Sequence, residues 1–554
     1  MKPIRYDEKE IEKYVSAGYW KNTILPDYWE RNAERWPDKE ALVDSLGTRL
    51  TWQQAVLRIN RISLALVKGL GLERDDRLMI QLPNIAEQVL VRLASEKAGI
   101  LSIPEMPTFR HSELRWIGEQ TQPVGVVIPR TYRNFDYYEM IKDLQPDLPY
   151  LKYIIIAGDE VPEGCLSLKE MMRYPWEEEY ELRELETRKL DPIYEVGFLV
   201  STTGTTGKPK IVEHRIAARE IWTAEAHIRN WEIGYTDVVV AFAPLAGAAG
   251  GTPAYVTAPV AGAKVVLGHE YEGEEICQLI EREKATVLAL VPAQLSRLLQ
   301  LPLEKYDLSS LRFLKTAGGY LSPHQAQEAE DRFGCPILGT FGSQDTGSVS
   351  GVPLSASKEA RYTTVGRVHP GVEIKVLDEQ AREVKAGEVG TLYFRGPGNS
   401  IGYFRNIEMT LAEAFDKEGW ATTGDLVTFT DDGWLKVVGR KKDIIIRGGQ
   451  NIYPQEIEDY LSLCPQVNEA AVVAMPDTVM GERACAFVTL RKGETFTFED
   501  MVNYLKSKKI AMFKIPERLE IIEYMPLAGA AKVDKKELTR LMTEKLKAEG
   551  RIKE

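Results

Sequence analysis

Two short stretches carry residue types suited to handling anions. The first is STTGTTGKPK, Ser201 to Lys210, which follows the apolar run Val196 to Val200. Glycines let backbone N–H groups turn inward as a nest for an anion, and threonine hydroxyls add donors. A triphosphate suits such a nest. This is not a Walker loop, because Pro209 follows Gly207-Lys208 where that motif needs Ser or Thr. The second stretch is PLAGAAKVDKKEL, Pro526 to Leu538. Its small residues would let a loop enter a confined site, and Lys532 would bring an ammonium to something negative.

Metal chemistry held by the protein alone is not expected. The five cysteines (Cys165, Cys277, Cys335, Cys464, Cys485) form no C-x-x-C pair, and the six histidines show no H-x-x-x-H spacing. A dispersed, odd set of cysteines reads as reduced core thiols. The balance of 70 basic and 82 acidic residues, net −12, argues against a general affinity for nucleic acid or anionic lipid.

The Thr/Gly loop opens an ordered series. It is followed by TFGSQD (340–345), GEVGTLYFRGPGNSIGYF (387–404), GWATTGDL (419–426), GRKKDIIIRGGQNIYPQEIE (439–458) and the Lys532 stretch. In this series the chain resembles the adenylate-forming superfamily of acyl- and aryl-CoA synthetases, peptide-synthetase adenylation domains and luciferases. The resemblance covers most of the chain and looks nearest to stand-alone aryl-acid ligases of the 2,3-dihydroxybenzoate type. It implies a two-step reaction. A carboxylate attacks the α-phosphorus of ATP and expels pyrophosphate, and a thiol then displaces AMP from the acyl-adenylate.

What the resemblance implies for residues follows motif by motif. Thr202, Thr203, Gly204, Thr205, Thr206, Gly207 and Lys210 would hold the β- and γ-phosphates. Asp345 stands where the family has a glutamate that binds Mg²⁺; it is one methylene shorter. Gly318, Gly319 and Tyr320 would flank adenine and the acyl pocket, with Thr340 and Phe341 beside them. Asp425 would accept from the ribose hydroxyls and Arg440 would contact the same sugar. Lys442 falls at the family's hinge, and Gly449 where a pantetheine arm passes. Lys532 would bridge the carboxylate and the α-phosphate, so Lys532, Asp345 and Lys210 form the expected catalytic set. ATP, Mg²⁺ and coenzyme A are the implied cofactors.

The acid is less constrained. The aryl-acid subgroup carries His-Asn after Pro-x-Ala in the pocket strand, whereas this chain reads PLAGAAGG, with Gly247 and Ala248 in those places. Empty space in place of a polar recogniser predicts a bulkier or more apolar aromatic or alicyclic acid. Trp222 and Trp231 are candidates for the pocket lining or, more plainly, for core. Two other readings stay open: loading of a separate phosphopantetheine carrier protein, and a non-catalytic ligand-binding member of the fold.

Elements must bring these residues together. A chain of 554 residues with 44% hydrophobic content exceeds one core, so at least two domains are expected. Apolar runs such as LMIQL, VGFLVS and VLALVP alternate with helical patterns such as IAEQVLVRLASEKAG, which predicts an α/β fold of stacked, helix-covered, mostly parallel sheets. A β-rich subdomain is expected at about 371–440, closing an N-terminal domain of 1–440. A small, mobile α+β domain would occupy 441–554. The segment from Val238 to Ala263 has no charge, but Pro244, Pro253, Pro259 and its glycines exclude one lipid-facing helix. The charged N-terminus has no apolar core, so the expectation is a cytoplasmic protein without a signal peptide. A homodimer is compatible with the sequence, although no pattern demands one.

Overall fold

Runs rich in Val, Ile and Leu become strands buried on both faces, the setting in which parallel sheets occur. In the computed structural model, which describes residues 1–202, 208–269, 273–477, 479–528 and 532–551, they form two large sheets. The first has nine strands. Ile337–Ser343, Phe313–Thr316, Val287–Leu290, Val238–Ala241, Lys264–Leu267 and Glu40–Asp44 lie parallel in that order. The second has eight. Phe198–Thr202, Leu101–Pro104, Arg77–Ile80, Gly125–Pro129, Tyr153–Ala157 and Leu166–Ser167 form its parallel part. Beside Phe198–Thr202 lies Lys210–His214, antiparallel, and beside that Gly402–Tyr403.

One apolar core joins the two sheets. Leu42, Val239 and Val265 of the first share a cluster with Leu78, Val126 and Leu199 of the second. The helix Ala86–Lys97 is buried at every position except Glu87. An all-round buried helix is normally apolar, yet this one carries Gln88, Arg92 and Glu96 in the core, each four residues from the next. The other face of the nine-stranded sheet packs Leu288, Leu290 and Leu314 against the helices Gly273–Glu283 and Pro323–Phe333.

Residues Glu373–Leu377, Gly390–Arg395, Ala421–Phe429 and Leu435–Arg440 make a four-stranded antiparallel sheet. Past it, Ile445–Arg447, Gln450–Ile452, Gly481–Leu490, Val467–Asp477 and Arg518–Ile521 form another sheet with its own core of Ile445, Ile457, Val472 and Met501. The fold class is the expected one. The uncharged segment starts as the strand Val238–Ala241 and continues as the helical turns Ala248–Gly250, Gly251–Thr257 and Ala258–Ala261. Gly251–Thr257 is π-helical, as is Ala217–Trp222. Among the described residues no helix is long and apolar enough to cross a membrane.

Glycine spacing in that segment is set by contact. A Cβ added at Gly250 would lie 2.0 Å from Ala243 O, whereas one at Gly247 would meet only Pro244 O, at 3.4 Å. Gly250→Ala is therefore expected to lose about 1–3 kcal/mol in urea unfolding, as overpacking does. Gly247→Ala should stay close to wild type.

Candidate active site

The carboxyl ends of parallel strands are where α/β sheets bind ligands. Phe313–Thr316 runs into Gly318, Gly319 and Tyr320, and Ile337–Ser343 runs through Thr340 and Phe341 to Asp345. Gly318 has φ +84°, open only to glycine at little cost, and its missing Cβ would stand 3.8 Å from Ala249 and 3.9 Å from Val291. This loop therefore borders the Gly247–Ala248 segment directly. Both Thr340 and Phe341 are half-buried, with Phe341 packed on the core of the four-stranded sheet.

A second group forms across the edge of the eight-stranded sheet. Register pairs Thr202 with Lys210, and Val212 with Tyr403. Lys210 Nζ lies 3.2 Å from Tyr403 Oη and makes an ion pair with Glu413. The Tyr403 hydroxyl donates to Asp345 Oδ2 at 3.0 Å. Burial, and then the adjacent Asp345, push the Tyr403 phenol well above its usual range, so it remains a donor. Asp345 is fixed through its backbone as well: its N–H donates to Ser343 Oγ at 3.1 Å, and its carbonyl accepts from Ser400 Oγ. A cation and a carboxylate thus sit on either side of one phenol. Buried Thr202 ends the preceding strand. Thr203, Gly204, Thr205, Thr206 and Gly207 lie outside the described residues.

The third group is Asp425 with Arg440. They are cross-strand partners in the four-stranded sheet, and Arg440 Nε donates to Asp425 Oδ1 at 2.9 Å. Thr423 Oγ1 donates to Oδ2 at 2.5 Å. Asp425 is buried, so these donors keep its carboxylate oriented. The strand carrying it meets the Lys210 group through Thr422 N, which donates to Ala414 O beside Glu413 (3.1 Å).

Lys442 is exposed in the short 3₁₀ turn Lys441–Asp443. Burial of part of its stem and the nearby Arg440 lower its pKa, with Lys536 adding to the effect. Lys536 follows the strand Lys532–Val533, which pairs Lys532 with Ala528. That end of the chain therefore comes close to the Asp425–Arg440 pair; the Lys532 side chain lies outside the described residues. Gly449 stands apart. It is exposed at φ +82°, and a Cβ added there would meet nothing within 4 Å.

At Gly247 and Ala248 there is a narrow cleft of about 30 Å³ that opens to solvent. Phe198, Val200 and Leu245 supply an apolar side. Arg92, Arg219, Glu220 and Gln344 supply a charged and polar side that the expectation of a more apolar pocket did not include. The polar side comes from the buried helix and the π-helical turn, so position 247 alone could not reveal it. Neither Trp222 nor Trp231 lines this cleft; both are core residues.

The chain matches the family of AMP-binding enzymes over residues 29–404, and the C-terminal domain of AMP-binding enzymes over 456–532. It belongs to the AMP-binding enzyme family. It is 32% identical over 555 residues to the medium-chain fatty-acid–CoA ligase of Escherichia coli, covering 98% of this chain and 95% of that one. It is also 32% identical over 546 residues to the 2,3-dihydroxybenzoate-AMP ligase of Bacillus subtilis, covering 98% of each. The anthranilate CoA ligase AuaEII, solved with anthranoyl-AMP, has the same fold, with a TM-score of 0.85 at 23% identity over 95% of this chain and 98% of that one.

Reading the sequence did not single out Tyr403, Glu413, Arg92, Arg219, Glu220 or Glu105. Tyr403 lay inside one quoted motif and Gln344 inside another, TFGSQD. Glu105 is buried and accepts from Ser201 Oγ at 2.5 Å, at the root of the Thr/Gly loop. Burial pushes its carboxyl up to about 8, against about 4.3 for the unfolded chain.

An AMP-binding enzyme with this arrangement should respond to two substitutions. Tyr403→Phe removes one hydrogen bond from Asp345 and should raise KM for ATP about 2–10-fold in initial-rate assays. Glu105 binds its proton more tightly when folded, so its contribution is complete below about pH 4.3 and is lost as pH rises through about 8. Glu105→Gln should therefore raise Tm by an amount that grows from pH 5 to pH 9 in thermal melts. A constant difference would exclude this titration.

Proposed function

We propose that this chain is an AMP-forming carboxylate–CoA ligase acting in the cytoplasm on an aromatic or alicyclic carboxylic acid. The observation that carries the reading is the Lys210–Tyr403–Asp345 arrangement, a cation and a carboxylate held around one phenol beside the Thr/Gly loop. Polyphosphate needs both signs at once: an ammonium for its oxygens and a carboxylate for the cation that travels with it. Asp345 fits Mg²⁺, which usually takes one or two protein carboxylates and completes its shell with phosphate oxygens and water. Among the described residues no cluster of three or more His, Cys, Asp or Glu offers an alternative protein-built cage. Bound there, Mg²⁺ would neutralise developing charge on the phosphates.

The chain's own residues then have distinct tasks. Lys210 holds the phosphate end. Asp425, oriented by Arg440 and Thr423, accepts from the ribose hydroxyls. The Gly318–Tyr320 loop flanks adenine on one side and the acid on the other. Lys532 approaches on its hairpin and offsets the repulsion between carboxylate and α-phosphate, an interaction strongest in the transition state. In the present arrangement the Lys532 end lies toward Asp425 and the Gly449 turn faces solvent, which supports its being the adenylate-forming state. Rotation at Lys442 would exchange them, bringing Gly449 to the site so that the pantetheine arm of CoA passes where a side chain would obstruct it.

The test is pyrophosphate release from ATP and Mg²⁺ across a panel of aromatic and alicyclic acids, followed by addition of CoA. Acyl-CoA and AMP should both appear. No pyrophosphate from any acid would overturn the enzymatic reading, and release without acyl-CoA would shift the acceptor to a carrier protein. Lys532→Ala should abolish pyrophosphate release, a loss of at least 100-fold, yet still pass a pre-made acyl-adenylate to CoA. Equal loss in both steps would contradict the assignment of Lys532 to the first.

A further inference from the structure

The charged side of the cleft is unlike the rest of the core. Arg92 lies on the buried helix Ala86–Lys97 with its guanidinium 3.7 Å over the Tyr255 ring, and its Nε has no hydrogen-bond partner among the described residues. Its nearest carboxylate is Glu220, at 3.9 Å. Arg219, half-buried, donates from Nη2 to Gln344 Oε1 at 2.5 Å, the one hydrogen bond its side chain makes among the described residues. Glu220 Oε2 and both side-chain polar atoms of Gln88 are likewise buried and unpartnered. Buried polar atoms left open in this way need a ligand or ordered water.

The charges do not balance. Burial pushes the Glu96 carboxyl well above its usual range, and the adjacent Glu220 adds to the shift; burial also lifts Glu220, to about 7. Two carboxyls in contact cannot both ionise cheaply, so they offset the two guanidinium groups only in part. Lys315, 1% exposed on the strand Phe313–Thr316, has no ion pair among the described residues, and burial followed by Arg219 pulls it down to about 7. The surroundings of Arg219 thus carry a positive excess. Water alone compensates such a charge poorly. Two of the three π-helical turns among the described residues border the cleft: Ala217–Trp222 supplies Arg219 and Glu220, and Gly251–Thr257 supplies Thr252 and Tyr255. Such turns recur at functional sites.

We propose that this cleft selects acids bearing a second carboxylate, received by the free face of the Arg219 guanidinium with Arg92 behind it. The inference rests on the ligase reading and narrows its acid to an aromatic or alicyclic dicarboxylic acid. The apolar wall of Phe198, Val200 and Leu245 takes the ring. One carboxylate faces the nucleotide, because Gln344, which Arg219 holds, is the neighbour of Asp345. The other pairs with Arg219, whose planar fork matches a carboxylate two bonds at a time.

The experiment compares kcat/KM for pyrophosphate release with benzoate against the three benzenedicarboxylates, and with cyclohexanecarboxylate against its dicarboxylate counterparts. Wild type should favour at least one dicarboxylate over the matched monoacid by tenfold or more. Arg219→Met should lower that ratio about 100-fold, chiefly through KM, and Arg219→Lys should recover part of it. A wild-type preference for the monoacids, or a ratio unchanged in Arg219→Met, overturns the inference while leaving the ligase reading intact. Thermal melts with millimolar acid and no ATP supply a separate readout. Dicarboxylates should raise the wild-type Tm by several degrees and monoacids should not. If no acid is turned over, the ligase reading fails, and the absence of a dicarboxylate-specific shift then removes this inference as well.

Discussion

The antiparallel ladder between Lys210–His214 and Gly402–Tyr403 is the constraint on which the candidate site depends. Side chains alternate across a strand, so a slip of one residue would send Lys210 and Tyr403 to the opposite face. Neighbouring strands hold that register on both sides. Phe198–Thr202 pairs with all five residues of Lys210–His214, and buried Glu213 takes backbone N–H groups from Ile4 and Arg405. With the register fixed, one phenol can reach a lysine across the sheet edge and an aspartate arriving from the other sheet. The two sheets are thereby tied at the point where charge is handled, as well as through their apolar faces.

Packing and chemistry meet again in the helix Ala86–Lys97. A helix between two sheets should be apolar all round, yet half of this one is polar or charged. Gln88, Arg92 and Glu96 fall on a single face at i, i+4 and i+8, and Arg92 carries that polarity to the cleft. Removing one member of such a set leaves the others buried without partners, which makes the group sensitive as a unit. Its placement beside Gly247 and Ala248 means that volume and charge in the cleft are set by different elements.

Much of this was legible in the sequence. Alternating apolar runs and helical patterns indicated parallel sheets because strands buried on both faces need apolar residues throughout. Asp425 and Arg440 could be singled out because a fixed motif carries them. Tyr403, Arg92 and Arg219 were not, for physical reasons. Gln88, Arg92 and Glu96 have the spacing of an ordinary solvent-facing stripe, and only tertiary packing turns that stripe inward. Arg219 sits in a π-helical turn, whose extra residue breaks the period by which a helical face is read. The polar side of the cleft was not legible because the motif position speaks for one wall only.

That extra residue has an evolutionary side. A π-turn holds one residue more than the α-helix around it, and one residue corresponds to about 100° of rotation. Deleting a single residue within Ala217–Trp222 would restore α-helical geometry and swing the Arg219 position to another face, without changing any residue of the nucleotide site. If the cleft receives the acid as proposed, its preference would drift by single-residue insertions and deletions in two short turns. Point substitution is not the only route, and alignments that treat such gaps as noise would pass over the places where specificity is written.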